Sequence, residues 1–294
     1  MTETVLVVGA SGYLGRSVVW RLREVADRPD RRVLGTYCSK PGPTAEAQFD
    51  FWTDDPGDLV DEHDADTVVF AAAVEYGGDA DTGESDVGAT FEERAERFAA
   101  GCADGDARVV YVSSAAVFDG RGSRYTESAA RSPVDGYGRR LVTFEDALRE
   151  RCDDLAILRT SYLFGFSTGD LDQRLERTRE RLDRGESVAY FTDMYKSPVL
   201  VTEATEAVAA LVDGDATGVV HVPTPRVSVY EFHCEAMRAL GRDPDLVERD
   251  QIPSDMDVAP DTSLSSERFD DLVGFEPSGV REGLRSQLDA GDGD

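Results

Sequence analysis

The 294-residue sequence predicts an α/β fold built on a doubly wound parallel sheet, and three observations carry that expectation. Val5 to Val8 form a short apolar, β-branched run of the kind buried on both faces of a parallel sheet. Gly9, Gly12 and Gly15 follow at GxxGxxG spacing and lead into an amphipathic run (Val18, Val19, Leu22, Val25) at helical period. Further apolar runs then alternate with helical patterns along the chain, the order that a parallel sheet with crossover helices requires. The length suffices for a sizeable core, in one large domain or two smaller ones.

Taken in order, the opening strand, glycine turn and helix form the context in which such a motif means dinucleotide binding. The glycines permit a tight turn and a close backbone approach, and the helix N-terminus faces the pyrophosphate. Ser11, Tyr13 and Leu14 are assigned to the cofactor together with Gly9, Gly12 and Gly15. Arg32 to Tyr37 reads as the second strand. An NAD-binding unit should end it with an acidic residue that holds the ribose hydroxyls. Here the end is Thr36-Tyr37-Cys38-Ser39-Lys40, where Ser39 and Lys40 suit a 2′-phosphate, so NADP is favoured over NAD; a merely polar loop is the other reading. Asp50 and Phe51, ahead of another helical segment, are counted with the cofactor contacts. Thr67 to Ala73 reads as a third buried strand, with Ala71, Ala72 and Ala73 small enough to let the adenosine lie on the strand ends, although they also suit simple packing. Residues 75 to 88, rich in Gly, Asp and Glu, read as a flexible or insertion loop. Phe91 to Cys102 is expected to be a helix and Arg108 to Ser113 another buried strand.

Composition excludes several classes of function. The chain carries 31 basic against 59 acidic residues, a net charge of −28. Nucleic acid is therefore not an expected partner, because phosphate neutralisation needs a basic face. Lys40 and Lys196 are the only lysines, and asparagine is absent. An acid-rich, lysine-poor chain of this kind fits a salty cytoplasm, where screening weakens self-repulsion. No apolar run reaches 18 residues, so no membrane span is expected, and residues 1 to 8 show no secretion signal. Cys38, Cys102, Cys152 and Cys234 form no CxxC pair, as expected of reduced thiols in an intracellular protein. His63, His221 and His233 lack metal-ligand spacing, so no metal is expected.

Past the fourth strand the motifs become specific. Ser113-Ser114-Ala-Ala-Val-Phe-Asp-Gly120 precedes Tyr125-Thr-Glu127 and Pro133-Val-Asp-Gly-Tyr-Gly138. Later come Leu158-Arg-Thr-Ser-Tyr-Leu-Phe-Gly165, Tyr195-Lys-Ser-Pro-Val199, Gly218-Val-Val-His-Val222 and Ser228-Val-Tyr-Glu-Phe232. With the glycine motif, the whole chain resembles an extended short-chain dehydrogenase/reductase. It is most similar to the dTDP-4-dehydrorhamnose reductases, whose pattern is STDYVFDG, YxE and YGxxK. The resemblance implies a Rossmann-like domain over residues 1–163 and a smaller α/β substrate lobe over 164–288 with segments returning to the sheet. Leu171 to Arg184, Thr202 to Leu211 and Val229 to Leu240 are its expected helices, and 289–294 is an acidic tail expected to be disordered.

The resemblance also implies a chemistry. In the family, a nicotinamide hydride reduces a C4 ketone, a tyrosine donates the proton, and a Ser or Thr hydroxyl polarises the carbonyl. A lysine four residues after the tyrosine holds the ribose and helps the phenol, whose ordinary pKa of about 10 needs a nearby cation for proton transfer near neutrality. By position, Ser114 and Tyr137 take the hydroxyl and acid roles. The lysine position holds Leu141, and the superfamily's active-site asparagine is missing as well. Arg140, at i+3, is the candidate substitute at the ribose, although a guanidinium does not give up its proton. Two functions follow. One is an NADP-dependent reductase of a nucleotide-linked 4-keto sugar, with NAD as the alternative cofactor. The other is a catalytically quiet, dinucleotide-binding regulatory or scaffold subunit, as in the regulatory β subunit of methionine adenosyltransferase, which is similar in fold. A homodimer is the assembly considered.

Overall fold

The computed structural model describes residues 2–24, 30–74 and 90–291. Val25, the stretch 75–88 and the last three residues of the tail lie outside the described residues.

The first half runs β1 (Glu3–Val8), α1 (Tyr13–Glu24), β2 (Arg31–Tyr37), β3 (Ala47–Gln48), α2 (Pro56–His63), β4 (Thr67–Phe70), α3 (Phe91–Asp104), β5 (Arg108–Ser114), α4 (Gly136–Arg151) and β6 (Leu155–Thr160). Then follow β7 (Leu163–Phe164), β8 (Phe166–Ser167), β9 (Asp170–Leu171), α5 (Gln173–Asp183), β10 (Val188–Phe191), β11 (Tyr195–Lys196), β12 (Val199–Leu200) and α6 (Val201–Asp213). The chain closes with β13 (Gly218–His221), β14 (Val227–Ser228), α7 (Val229–Ala239), β15 (Val247–Asp250), α8 (Phe269–Val273) and α9 (Val280–Gly291).

Seven strands form one parallel sheet in the order β13-β6-β5-β4-β1-β2-β3. The order reverses at β1, with β2 to one side and β4 to the other. That reversal opens a crevice at the carboxyl ends of the strands, where doubly wound folds bind ligands. The β-branched run of β1 explains its central place, since successive side chains enter opposite cores. Leu6 and Val8 pack with Phe70, Phe98 and Phe144 under α3 and α4. Val5 and Val7 pack with Val18, Val19 and Val208 under α1 and α6. A third apolar cluster, with Phe164, Leu175, Phe232, Met237 and Leu284, gathers α5, α7 and α9 beside the parallel pair β10–β15. The doubly wound sheet and the smaller lobe expected from sequence are both present. Within the second half, α6 and β13 return to the sheet.

Several boundaries shift by one or two residues, and three differences bear on the site or the tail. The strand begun at Thr67 stops at Phe70, so Ala71, Ala72 and Ala73 lie beyond it. The helix expected from Leu171 starts at Gln173, because Asp172 caps it by accepting from the Arg174 and Leu175 amides while Asp170–Leu171 pairs with Phe166–Ser167. The tail from Asp289 is not wholly irregular: α9 continues through Gly291. That helix is anchored by buried Leu284 and by Gln287, whose amide bonds both the N–H (2.8 Å) and the carbonyl (3.0 Å) of Phe166.

A buried polar cluster fixes α4 against the sheet. Glu145, with no solvent exposure, accepts from Arg159 Nε (2.8 Å) and the Ser113 hydroxyl (2.7 Å) on Oε1, and from Arg159 Nη2 (2.6 Å) and Arg131 (3.2 Å) on Oε2. Burial alone would raise its carboxyl, but Arg159 and Ser113 hold it below the usual carboxylate range.

Candidate active site

The crevice at the strand ends is a cleft of about 880 Å³, lined from the sheet side and from the lobe. Its first edge is the turn after β1. Gly9 takes φ +87°, and a Cβ there would lie 2.7 Å from the Ala72 backbone, so only glycine lets the turn pass the end of β4. The turn is closed by the Gly12 amide donating to Gly9 O (2.9 Å), and the Gly9 amide donates to Thr36 Oγ1 (3.3 Å) at the end of β2. Ser11, Gly12, Tyr13 and Leu14 line the cleft, so the N-terminal turn of α1 faces it with no side chain at Gly12 in the way. This arrangement fits a dinucleotide pyrophosphate: helix amides with no intrahelical partner face a space that a side chain would fill. Asp50, Phe51, Ala71, Ala72 and Ala73 line the same cleft.

The middle of the cleft comes from β5 and α4. Both Ser113 and Ser114 border the cleft, but the Ser113 hydroxyl is held by Glu145, while the Ser114 hydroxyl accepts from the Ala116 amide at 3.3 Å. The N-terminus of α4, capped by Asp135 accepting from the Gly138 amide (2.7 Å), crosses close to residues 115–117. At Gly138 a Cβ would sit 2.3 Å from Ala116 O, so this approach also needs glycine. It brings Tyr137, in the first turn of α4, onto the cleft that Ser114 lines.

Four expected cofactor residues are not among those that line the cleft. Gly15 is buried within α1. Ser39 and Lys40 are exposed beyond β2, where Cys38 rather than either of them lines the cleft. Arg140 corrects the expectation most clearly: its guanidinium lies 5.7 Å from the Phe91 ring of α3, outside the cleft lining. Leu141 does line the cleft, yet it is only 1% exposed and packs into the aromatic core with Phe144.

The lobe supplies groups to which the motif reading gave no part in the chemistry. Tyr13 ties the glycine turn to the lobe by donating to Gly165 O at 2.6 Å, and burial raises its phenol. Tyr162 and Arg174 line the cleft, the guanidinium 4.4 Å from the ring. Lys196 lines it too, donating to Thr262 Oγ1 at 2.9 Å and lying 5.7 Å from the Tyr162 ring. Burial pushes its ammonium down to about 8, with Asp261 and Asp135 acting in the opposite sense. The available signals were its place in the Tyr195-Lys-Ser-Pro-Val199 motif and its rarity, a lone lysine in the second half of an arginine-rich chain. Two of the three histidines have structural partners: His221 Nδ1 lies 3.0 Å from Tyr125 O, and His233 stacks on Tyr190 at 3.6 Å. Among the described residues, no group of three His, Cys, Asp or Glu is assembled to hold a metal, and no helix is long and apolar enough to cross a membrane.

The site's relatives are consistent among themselves. The RmlD substrate binding domain family matches residues 3–292. A dTDP-4-keto-6-deoxy-D-glucose reductase from Streptomyces niveus is 32% identical over 267 residues, covering 87% of this chain and 84% of that one. A probable low-salt glycan biosynthesis reductase, Agl14, from Haloferax volcanii is 30% identical over 259 residues, covering 85% and 84%. The crystal structure of a dTDP-4-dehydrorhamnose reductase from Bacillus anthracis in complex with NADP superposes with a TM-score of 0.80 at 20% identity, over 99% of this chain and all of that one, a likeness of fold. With the glycine turn, the Ser114–Tyr137 cleft and a match over nearly its full length, the chain belongs to the RmlD substrate-binding-domain family within the short-chain dehydrogenase/reductase type.

Proposed function

We propose that this chain is an NADP-dependent reductase of a nucleotide-linked 4-keto sugar, with NAD as the weaker cofactor. The observation that carries the reading is a single cleft bordered by both the glycine turn and the Ser114–Tyr137 pair. The substrate class follows relatives named as reductases of dTDP-4-keto sugars. Gly9, Ser11, Gly12, Tyr13 and Leu14 form the pyrophosphate turn, Gly15 lets α1 pack closely behind it, and Asp50, Phe51 and Ala71 to Ala73 border the adenosine. Ser39 and Lys40, just past the cleft-lining Cys38, meet the 2′-phosphate. NADPH, when bound, supplies the hydride. Ser114 donates a hydrogen bond to the sugar carbonyl, and Tyr137 gives that oxygen its proton as the C–H bond forms. Residues 1–163 hold the cofactor, and the lobe within 164–288 holds the sugar.

The working environment follows from charge. A net charge of −28 on a lysine-poor chain suits a salt-rich cytoplasm and gives no basic face for nucleic acid. The test of the function is NADPH oxidation with dTDP-4-dehydro sugars in molar KCl, beside a cofactor titration. Turnover that Tyr137→Phe abolishes supports the reductase. Tight cofactor binding without turnover on any 4-keto sugar rejects it in favour of a binding subunit.

A further inference from the structure

The cleft has no cation at position 141, and Arg140 is turned towards Phe91. Two other cations line it, Arg174 and Lys196. Arg174 is already committed: it pairs with Asp172 at 3.3 Å, donates to Leu163 O and covers the Tyr162 ring. Lys196 is not. Among the described residues its ammonium makes one hydrogen bond, to the neutral Thr262 hydroxyl, and no ion pair. An ammonium carries three donors, so two remain for whatever enters the cleft. The nearby carboxylates are spent elsewhere. Asp261 accepts from Arg226 (2.7 Å) and from the Ser263 hydroxyl (2.6 Å), and Arg226 itself stacks on the Tyr195 ring at 3.4 Å. Asp135 caps α4 through the Gly138 amide. Lys196 lines the same cleft as Asp135 and Tyr137 at the N-terminus of α4, and the Asp135 carboxylate acts to raise its ammonium.

We propose that Lys196, entering from lobe strand β11, is a catalytic residue that supplies the positive charge Tyr137 needs to release its proton, replacing the helix lysine absent at position 141. The proposal rests on the reductase reading. In the step, hydride from NADPH adds to the carbonyl carbon and the C=O π pair moves to oxygen. The Tyr137 O–H proton passes to that oxygen, and the Lys196 ammonium stabilises the phenolate until solvent returns a proton. The ammonium, lowered to about 8 by burial, is charged below that pH and lost above it. The titratable and charged groups that share its cleft are Tyr137 and Asp135 from α4 and Tyr162 and Arg174 from the lobe, and Asp261 with its Arg226 partner also bears on its charge.

The experiment has a readout that needs no substrate. The Tyr137 phenol is titrated by ultraviolet difference between the parent and Tyr137→Phe, with and without Lys196→Met. A cation within contact range is worth about 1–3 pH units to such a group, so in Lys196→Met the Tyr137 titration rises by about that much. With a dTDP-4-dehydro sugar, the same variant loses roughly 10²-fold in kcat and keeps its NADPH affinity. Lys196→Arg restores much of the rate and moves the alkaline limb, expected near pH 8 in the parent, to higher pH. A Tyr137 titration unchanged by Lys196→Met overturns the proposal. So does a raised KM with unchanged kcat, which makes Lys196 a substrate anchor only. A parent that reduces no 4-keto sugar rejects the reductase reading, while the phenol titration still decides the role of Lys196. Met at 196 removes a buried charge, and a thermal melt checks that both variants fold.

Discussion

Glu145→Gln tests whether the buried cluster beneath the active-site helix holds the fold together. Both Glu145 oxygens face Arg159 donors, Nε at 2.8 Å and Nη2 at 2.6 Å, and Arg159 is 1% exposed. Whichever way a glutamine amide is turned, its NH₂ meets an Arg159 donor, and the guanidinium is left buried without a countercharge. Breaking one side of such a pair costs about 3–5 kcal/mol. At roughly 2–4 °C per kcal/mol for a chain somewhat smaller than this one, the melting temperature at pH 7 falls by about 10 °C. The pH dependence gives a second check. The folded carboxyl lies below its ordinary range, so its stabilisation is fully present above the unfolded value of about 4.3. It is lost as pH falls through the lower folded value. The gap between parent and variant melts in molar KCl therefore narrows on acidification below about pH 4. A cost under about 1 kcal/mol at pH 7, or a gap indifferent to pH, refutes the argument.

Gly12→Val places a side chain in the cleft beside the pyrophosphate turn, and NADPH binding by fluorescence titration is expected to be lost while the fold persists; undiminished binding removes the cofactor assignment. Melting temperature should climb steeply with KCl, because at net −28 the screening length shortens from about 30 Å at 0.01 M to about 3 Å at 1 M; a flat profile contradicts adaptation to salt. Leu141→Lys puts an ammonium into the aromatic core beside Phe144 and is expected to cost on the order of 3 kcal/mol. An unchanged melt with faster turnover would instead show that the helix position accepts its lysine.

Local signals determined much of this protein. Four β-branched or apolar residues followed by spaced glycines specify a strand, turn and helix almost without help from the rest of the chain, and β1, the glycine turn and α1 are found there. Ser114 and Tyr137 were legible because each lies in a short motif whose spacing survives in sequence, and both line the cleft. Position 140 was not legible. Residues i+3 and i+4 from Tyr137 lean to opposite sides of it on a helix, and only the packing of α3 decides that Arg140 meets Phe91 while Leu141 borders the cleft. The alanines after Phe70 read as strand because their apolar run is continuous, but the strand ends at Phe70, three residues short of Ala73, and frees them to line the site. Lys196 was visible in the Tyr195-Lys-Ser-Pro-Val199 motif, but its place in the cleft was not. It reaches the cleft that Tyr137 lines because β11 pairs with β14 and the segment around Asp261 folds back on it, and such contacts between distant segments leave no periodic trace in the chain.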